Sequence, residues 1–169
     1  NVGLEAIKET KWVFFSDSDD FFTPYLNEAL DKYLNDESDV IYFNYSAIYS
    51  DTLQPSQRDS HSTHKIKEAI KKGDYNILRF KTNAPYCKFI SYNIIHDHHL
   101  RYDEVMYAND VMFAMRLGVV SSNIKYDENI FKKRKRNNNN SFINNNNSNV
   151  NISRYFNTSF TTRRRKIIR

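Results

Sequence analysis

Three carboxylates fall within four positions at Asp17-Ser18-Asp19-Asp20, directly after the unbroken apolar run Trp12-Val13-Phe14-Phe15. Like charges held this close repel one another, and a fold that keeps them together generally supplies a compensating cation. Hard oxygen donors suit Mg²⁺, Mn²⁺ or Ca²⁺ rather than zinc. Asp17 and Asp19 stand two residues apart, so on an extended backbone they point the same way. Asp20 then points elsewhere and can serve a different ligand. The plainer alternative is a solvated acidic turn in which Asp20 or Thr23 caps the next helix. An EF-hand loop running from Asp17 to Glu28 is disfavoured, because Phe22 stands where that loop needs glycine.

The elements around this turn must place it. An apolar, aromatic and β-branched run such as 12–15 predicts a strand buried on both faces of a largely parallel sheet. The acids then lie just past its carboxyl end, where open α/β sheets bind their ligands. Pro24 opens a helical pattern with Leu26, Ala29, Leu30, Tyr33 and Leu34 as its apolar stripe. Residues 40–49 predict one strand, 50–64 a surface loop, and 65–72 a short helix stopped by Gly73. Residues 75–80 are expected to pack on the sheet. Residues 82–95 combine a turn at Pro85 with a strand or short helix between which periodicity does not decide. A compact helix is expected from Asn109, as N-cap, to Gly118, as terminator, followed by a last strand over 124–131.

Other candidate ligands are weaker. His61 and His64 lack an acidic or cysteine partner, and His96, His98 and His99 crowd one turn from which they would diverge, so both groups read as solvent-facing. Cys87, the one cysteine, reads as a small buried apolar residue and predicts a reducing, cytoplasmic setting. The chain has 169 residues with 40% hydrophobic content, enough for one domain with a core. No run approaches the roughly 18 apolar residues of a membrane span, and the first residues do not form a signal-peptide pattern. The net charge of +5 is uneven: residues 132–136 read Lys-Lys-Arg-Lys-Arg and 163–166 read Arg-Arg-Arg-Lys, whereas 16–39 is acidic. Such clusters suit phosphate-rich ligands, nucleic acid or an anionic membrane, although most charge runs are simply solvated. Residues 137–151 are mostly asparagine, so a domain over 1–136 is expected to precede a polar and basic tail over 137–169, disordered or weakly docked.

Taken together, Asn1-x-Gly3, Ala6, Trp12-Val-Phe-Phe-Ser-Asp-Ser-Asp-Asp20 and 26–34 resemble the Asp-x-Asp region of family 2 glycosyltransferases with the GT-A fold. Lys88-Phe-Ile, Leu100-Arg-Tyr-Asp-Glu and Asn109-Asp-Val-Met-Phe-Ala-Met-Arg116 resemble that family's acceptor-side segment, which ends in a Glu-Asp pair at a helix start. The resemblance covers roughly 1–136 and implies an α/β, GT-A-like domain with a mostly parallel mixed sheet flanked by helices. The strand, helix and strand that grip the nucleotide base in those enzymes would precede residue 1. An N-terminally truncated fragment with an incomplete nucleotide-binding half is therefore expected.

The resemblance also implies a role for each acid. Asp19, Asp17 and Asp20 form the metal set for Mn²⁺ or Mg²⁺, with one of Asp17 and Asp19 on the ribose of a nucleotide-sugar donor, a UDP-sugar by expectation. Asp110 stands in the place of the catalytic base, and Asn109 replaces the preceding glutamate. Arg134 and Arg136 can clasp diphosphate oxygens with their forked donors. The acceptor would be a glycan or lipid-linked precursor of polysaccharide biosynthesis, and the chain would be cytoplasmic, peripheral to the inner face of the membrane. Two rivals stand beside this reading. A haloacid-dehalogenase-like phosphatase would use Asp17 as nucleophile, although Phe21 replaces that motif's usual threonine or valine. A nucleic-acid-binding module would use the basic tail with Tyr155 and Phe156 for stacking.

Overall fold

The strand over Trp12–Ser16 (β1) is buried at every position. A computed structural model describes residues 1–44, 46–56, 60–82, 84–130, 132–136 and 166–168. β1 lies between Lys88–Ser91 (β6) and Lys166–Ile168 (β9), antiparallel to both. On the other side of β6, Val40–Phe43 (β3) runs antiparallel to it and parallel to Ile124–Asp127 (β7), giving the order β7-β3-β6-β1-β9. A smaller sheet, ordered β2-β8-β4-β5, joins Phe21–Phe22 (β2), Lys132–Arg136 (β8), Ala47–Tyr49 (β4) and Pro55–Ser56 (β5). Among the described residues six helices accompany the sheets: Val2–Glu5 (α1), Tyr25–Lys32 (α2), Ser60–Lys72 (α3), Asn76–Lys81 (α4), Tyr92–Asp97 (α5) and Asn109–Val120 (α6).

The fold is α/β as expected, but the main sheet is not mostly parallel: among its strands only β3 and β7 pair in parallel. An unbroken apolar run reports two buried faces and carries no information on direction. The reversed strand β6 has a consequence for the site. Because β1 and β3 both oppose β6, and β7 parallels β3, the strands β1, β3 and β7 run the same way. Their carboxyl ends share one edge of the sheet, and the start of β6 lies there too.

Several element boundaries also differ. The single strand expected over 40–49 breaks after Phe43, where Asn44 donates from its backbone N–H to the Asn129 carbonyl (3.2 Å) and from its side chain to the Glu128 carbonyl (2.6 Å). β4 then enters the second sheet. The loop expected over 50–64 contains β5 and the first turn of α3. Residues 82–95 hold both a strand and a helix, β6 followed directly by α5. β7 ends at Asp127, and the basic run beginning at Lys132 is itself a strand. Of the tail, 166–168 pair with β1, whereas 137–165, including Tyr155, Phe156 and Arg163 to Arg165, lie outside the described residues. Among the described residues no helix is long and apolar enough to cross a membrane.

Gly73 stops α3 with φ +62°, the left-handed conformation expected of a glycine terminator. Gly118 does not terminate α6, which continues to Val120. A Cβ there would stand 2.5 Å from the Arg79 carbonyl oxygen, so the glycine permits the close approach of α4 to α6. Arg79 fastens that approach through Nε to the Gly118 carbonyl (2.6 Å). The start of α6 differs as well: Ala108, at φ 54°, precedes it, and Asn109 is its first helical residue. Alanine in a helix interior is favoured over glycine by about 1 kcal/mol, yet overpacking against fixed backbone costs about 1–3 kcal/mol. Gly118→Ala is therefore expected to destabilise the protein by up to about 2 kcal/mol in urea unfolding, and a stabilised variant would contradict this packing.

A candidate active site on the shared strand edge

The acidic residues follow β1 directly onto that edge. The Asp20 N–H donates to the Asp17 carbonyl (3.2 Å), closing a turn over 17–20, and Ser16 Oγ donates to the same carbonyl (3.2 Å). Asp19 is exposed and Asp17 half-buried, whereas the Asp20 side chain is only 2% exposed. Asp20 Oδ2 accepts a hydrogen bond from Lys132 Nζ at 2.9 Å, and the Lys132 side chain is fully enclosed. Lys132 Nζ also donates to the Phe15 carbonyl (3.3 Å) and stands 5.2 Å from the Tyr86 ring centre. The acids are thus divided, with Asp20 turned inward, Asp19 exposed and Asp17 half-buried between them.

Lys132 was not recognisable as a site residue, because four further basic residues follow it and the run reads as solvated. It opens β8, which pairs antiparallel with β2 (Phe22↔Lys132) and parallel with β4. Arg134 and Arg136, expected to follow the last strand, lie within β8 opposite Ala47 and Tyr49.

The helix that begins with Asn109 and Asp110, α6, also runs toward this edge. α6 passes through 121–123 into β7, and Asp39 Oδ2 accepts the N–H groups of Ser122 (2.7 Å) and Asn123 (2.9 Å) at that junction. The carboxyl end of α6 therefore adjoins the start of β7, and its amino end points toward the edge where β1, β3 and β7 finish. Phe113, one turn beyond Asp110, meets Phe15 edge-on with ring centres 5.5 Å apart and stacks on Tyr102 at 4.5 Å. Tyr102 meets Phe15 edge-on as well (5.5 Å). Asn1 holds Tyr102 in place, donating from Nδ2 to its carbonyl and accepting its N–H, each at 2.9 Å. Phe15 precedes Asp17 by two residues and Phe113 follows Asp110 by three, so one aromatic cluster packs the end of β1 against the amino-terminal half of α6.

Among the described residues no three His, Cys, Asp or Glu side chains converge as a metal-binding group. The turn carries the exposed Asp19 and the half-buried Asp17, oxygen donors of the kind that suit Mg²⁺ or Mn²⁺ when substrate phosphates and water complete the shell. His96, His98 and His99 are exposed at the end of α5, and Cys87 is buried.

Two further buried charges lie near this edge. Asp127, at the end of β7, accepts Tyr25 Oη (2.6 Å), Tyr33 Oη (2.7 Å) and Lys32 Nζ (3.0 Å) on one oxygen. The backbone and side-chain N–H groups of Asn129 donate to its other oxygen at 2.9 Å. Burial raises its carboxyl, but these donors outweigh that and hold it well below the usual carboxylate range. Burial likewise pushes the Tyr33 phenol up to about 12. Lys88, at the start of β6, donates to the Thr82 carbonyl (2.8 Å) and stands 4.8 Å from the Tyr42 ring centre. Its burial pushes the ammonium down to about 7. Its burial was not read from the sequence, where a lone lysine inside Tyr-Cys-Lys-Phe-Ile is the signal that could have found it.

No family profile matches the chain, and no curated protein sequence does. Solved structures do. TarS residues 1–349 from S. aureus, in complex with UDP, superposes on 80% of this chain with a TM-score of 0.55 at 18% identity. The fold is GT-A-like. The complex of the same protein with UDP-GlcNAc gives the same TM-score and identity, and the structure titled simply as TarS gives 0.56. This chain spans 38% of the UDP-bound TarS chain and 23% of the chain in that last structure.

Lys88 makes stability pH-dependent in a defined sense. Between its ordinary 10.5 and about 7 the unfolded chain takes up a proton that the folded protein does not. Its contribution is therefore least unfavourable at high pH, worsens as pH falls through that window, and levels off below about 7. The difference in unfolding free energy between wild type and Lys88→Met should narrow steadily from pH 7 to 9.5, a range about 2.5 units wide over which each unit carries up to about 1.4 kcal/mol. A difference independent of pH would contradict a buried, mostly neutral amine.

Proposed function

We propose that this chain carries the diphosphate and acceptor side of a glycosyltransferase site, which moves a sugar from a nucleoside-diphosphate sugar to an acceptor hydroxyl. The observation that supports this reading is the packing at the common edge: the end of β1, which leads into the acidic turn, packs on α6 one turn beyond Asp110 through Phe15, Tyr102 and Phe113. Likeness in fold to TarS, a glycosyltransferase whose structures include complexes with UDP and UDP-GlcNAc, supports a nucleotide-sugar donor and favours UDP as its carrier.

In this reading Asp19 and Asp17 hold the divalent ion, with Asp17, the less exposed of the two, also within reach of the ribose. Asp20 leaves the ligand set, because Lys132 occupies its carboxylate. Mn²⁺ or Mg²⁺ bound there supplies positive charge against the departing diphosphate. Arg134 and Arg136 on β8 add forked donors for the same oxygens. Asp110 takes the proton of the acceptor hydroxyl as it attacks the anomeric carbon. A single displacement with the nucleophile opposite the leaving group inverts that centre. The acceptor is a glycan or a lipid-linked precursor, and basic residues draw the chain to the inner face of the membrane.

Calorimetric titration of the full chain with UDP, with and without Mn²⁺, tests the donor half. Asp19→Ala is expected to weaken the Mn²⁺-dependent affinity at least tenfold, about 1.4 kcal/mol. Asp110→Asn should leave that affinity within about twofold and lower transfer by about a hundredfold or more. Undiminished Mn²⁺-dependent UDP binding by Asp19→Ala would sink the assignment.

A further inference from the structure

We propose that Lys132 is a positioning residue for the acidic turn, a clasp that sets how Asp17 and Asp19 are presented. Its effect on a ligand rests on the transferase reading above; its effect on the turn does not. The geometry is specific. One nitrogen bonds to both ends of the segment that carries Asp17 and Asp19, the Phe15 carbonyl before it (3.3 Å) and the Asp20 carboxylate after it (2.9 Å). The residues between those two anchors, 16–19, include both candidate ligands. Tyr86 roofs the clasp: its ring faces the ammonium at 5.2 Å and its backbone bridges to Phe15.

The location of this pair argues for more than charge balance. An exposed lysine beside the turn would also reduce repulsion among its acids, without the desolvation that a buried ion pair costs. Burial gives the pair a fixed geometry, since an ammonium with no water around it is confined to the acceptors the protein offers. Lys132 is also anchored by its backbone, opposite Phe22 of β2, the strand that follows the turn. Its side chain therefore ties β1, the turn and β8 together at one point. A loosened clasp would leave Asp17 and Asp19 on a turn whose ends can separate.

Amide hydrogen exchange of the full chain reads the turn directly, and thermal unfolding reads the fold. Lys132→Met alone strands a buried carboxylate and should lower the unfolding midpoint sharply. Asp20→Asn combined with Lys132→Met removes both charges and should recover most of that midpoint. The amides of 17–20 in that double variant should still exchange at least about tenfold faster than in wild type, and its Mn²⁺–UDP affinity should fall by about tenfold. Asp20→Asn with Lys132→Gln, which can restore a neutral hydrogen bond, should slow the exchange again and supplies a second folded variant. Exchange at 17–20 within about threefold of wild type in the Asn–Met variant would overturn the proposal and reduce the pair to charge balance. If the wild-type chain fails to bind Mn²⁺–UDP, the transferase reading falls, while the exchange comparison still decides the clasp.

Discussion

Everything at the candidate site depends on the packing of Phe15 against Tyr102 and Phe113. These rings bring the end of β1, from the first part of the chain, against the beginning of α6, nearly a hundred residues later. Aromatic pairs of this kind contribute about 0.5–1.5 kcal/mol each beyond the area they bury, and three pairs share the junction. Asp17 and Asp110 are within three residues of these rings along the chain, so the separation of the acids follows from a rigid hydrophobic contact. Asn1 extends the junction by holding the backbone of Tyr102.

Strand direction supplies the second constraint. With β6 reversed between β1 and β3, three strands finish on one edge, and polar groups collect there. The acidic turn, Asn44 and Asp127 follow or end those strands, and Lys88 opens β6. Buried charge at such an edge is tolerated only where it is paired. Asp127 has five donors on its two oxygens, and Lys132 has Asp20, a carbonyl and an aromatic face. Among the described residues Lys88 has a carbonyl and a ring but no carboxylate hydrogen-bonded to it, and accordingly burial pushes its ammonium down.

Much of this was legible in the sequence, and the failures have physical causes. β1 and α2 could be read because contiguous burial and a helical stripe leave unambiguous patterns in Trp12 to Phe15 and in Ala29 and Tyr33. Strand direction could not, since burial on two faces looks the same in parallel and antiparallel neighbours. The break at Asn44 was hidden because the β-branched and aromatic residues on both of its sides favour strands equally. Gly118 misled because glycine serves both as a helix stop and as a point of close approach, and only the Arg79 carbonyl distinguishes the two uses. Lys132 was concealed among four basic neighbours, so the residue that engages Asp20 looked like part of a solvated run.

The turn bearing Asp17 and Asp19 and the helix start bearing Asp110 lie toward one edge of the main sheet, as a shared site requires. Anomalous scattering from a crystal of the full chain grown with Mn²⁺ and UDP would test it most directly. The account predicts a manganese peak beside Asp19, diphosphate oxygens in its shell, and the Asp110 carboxylate facing the same ligand. Manganese bound away from the turn, or Asp110 facing the opposite side of the sheet, would contradict it.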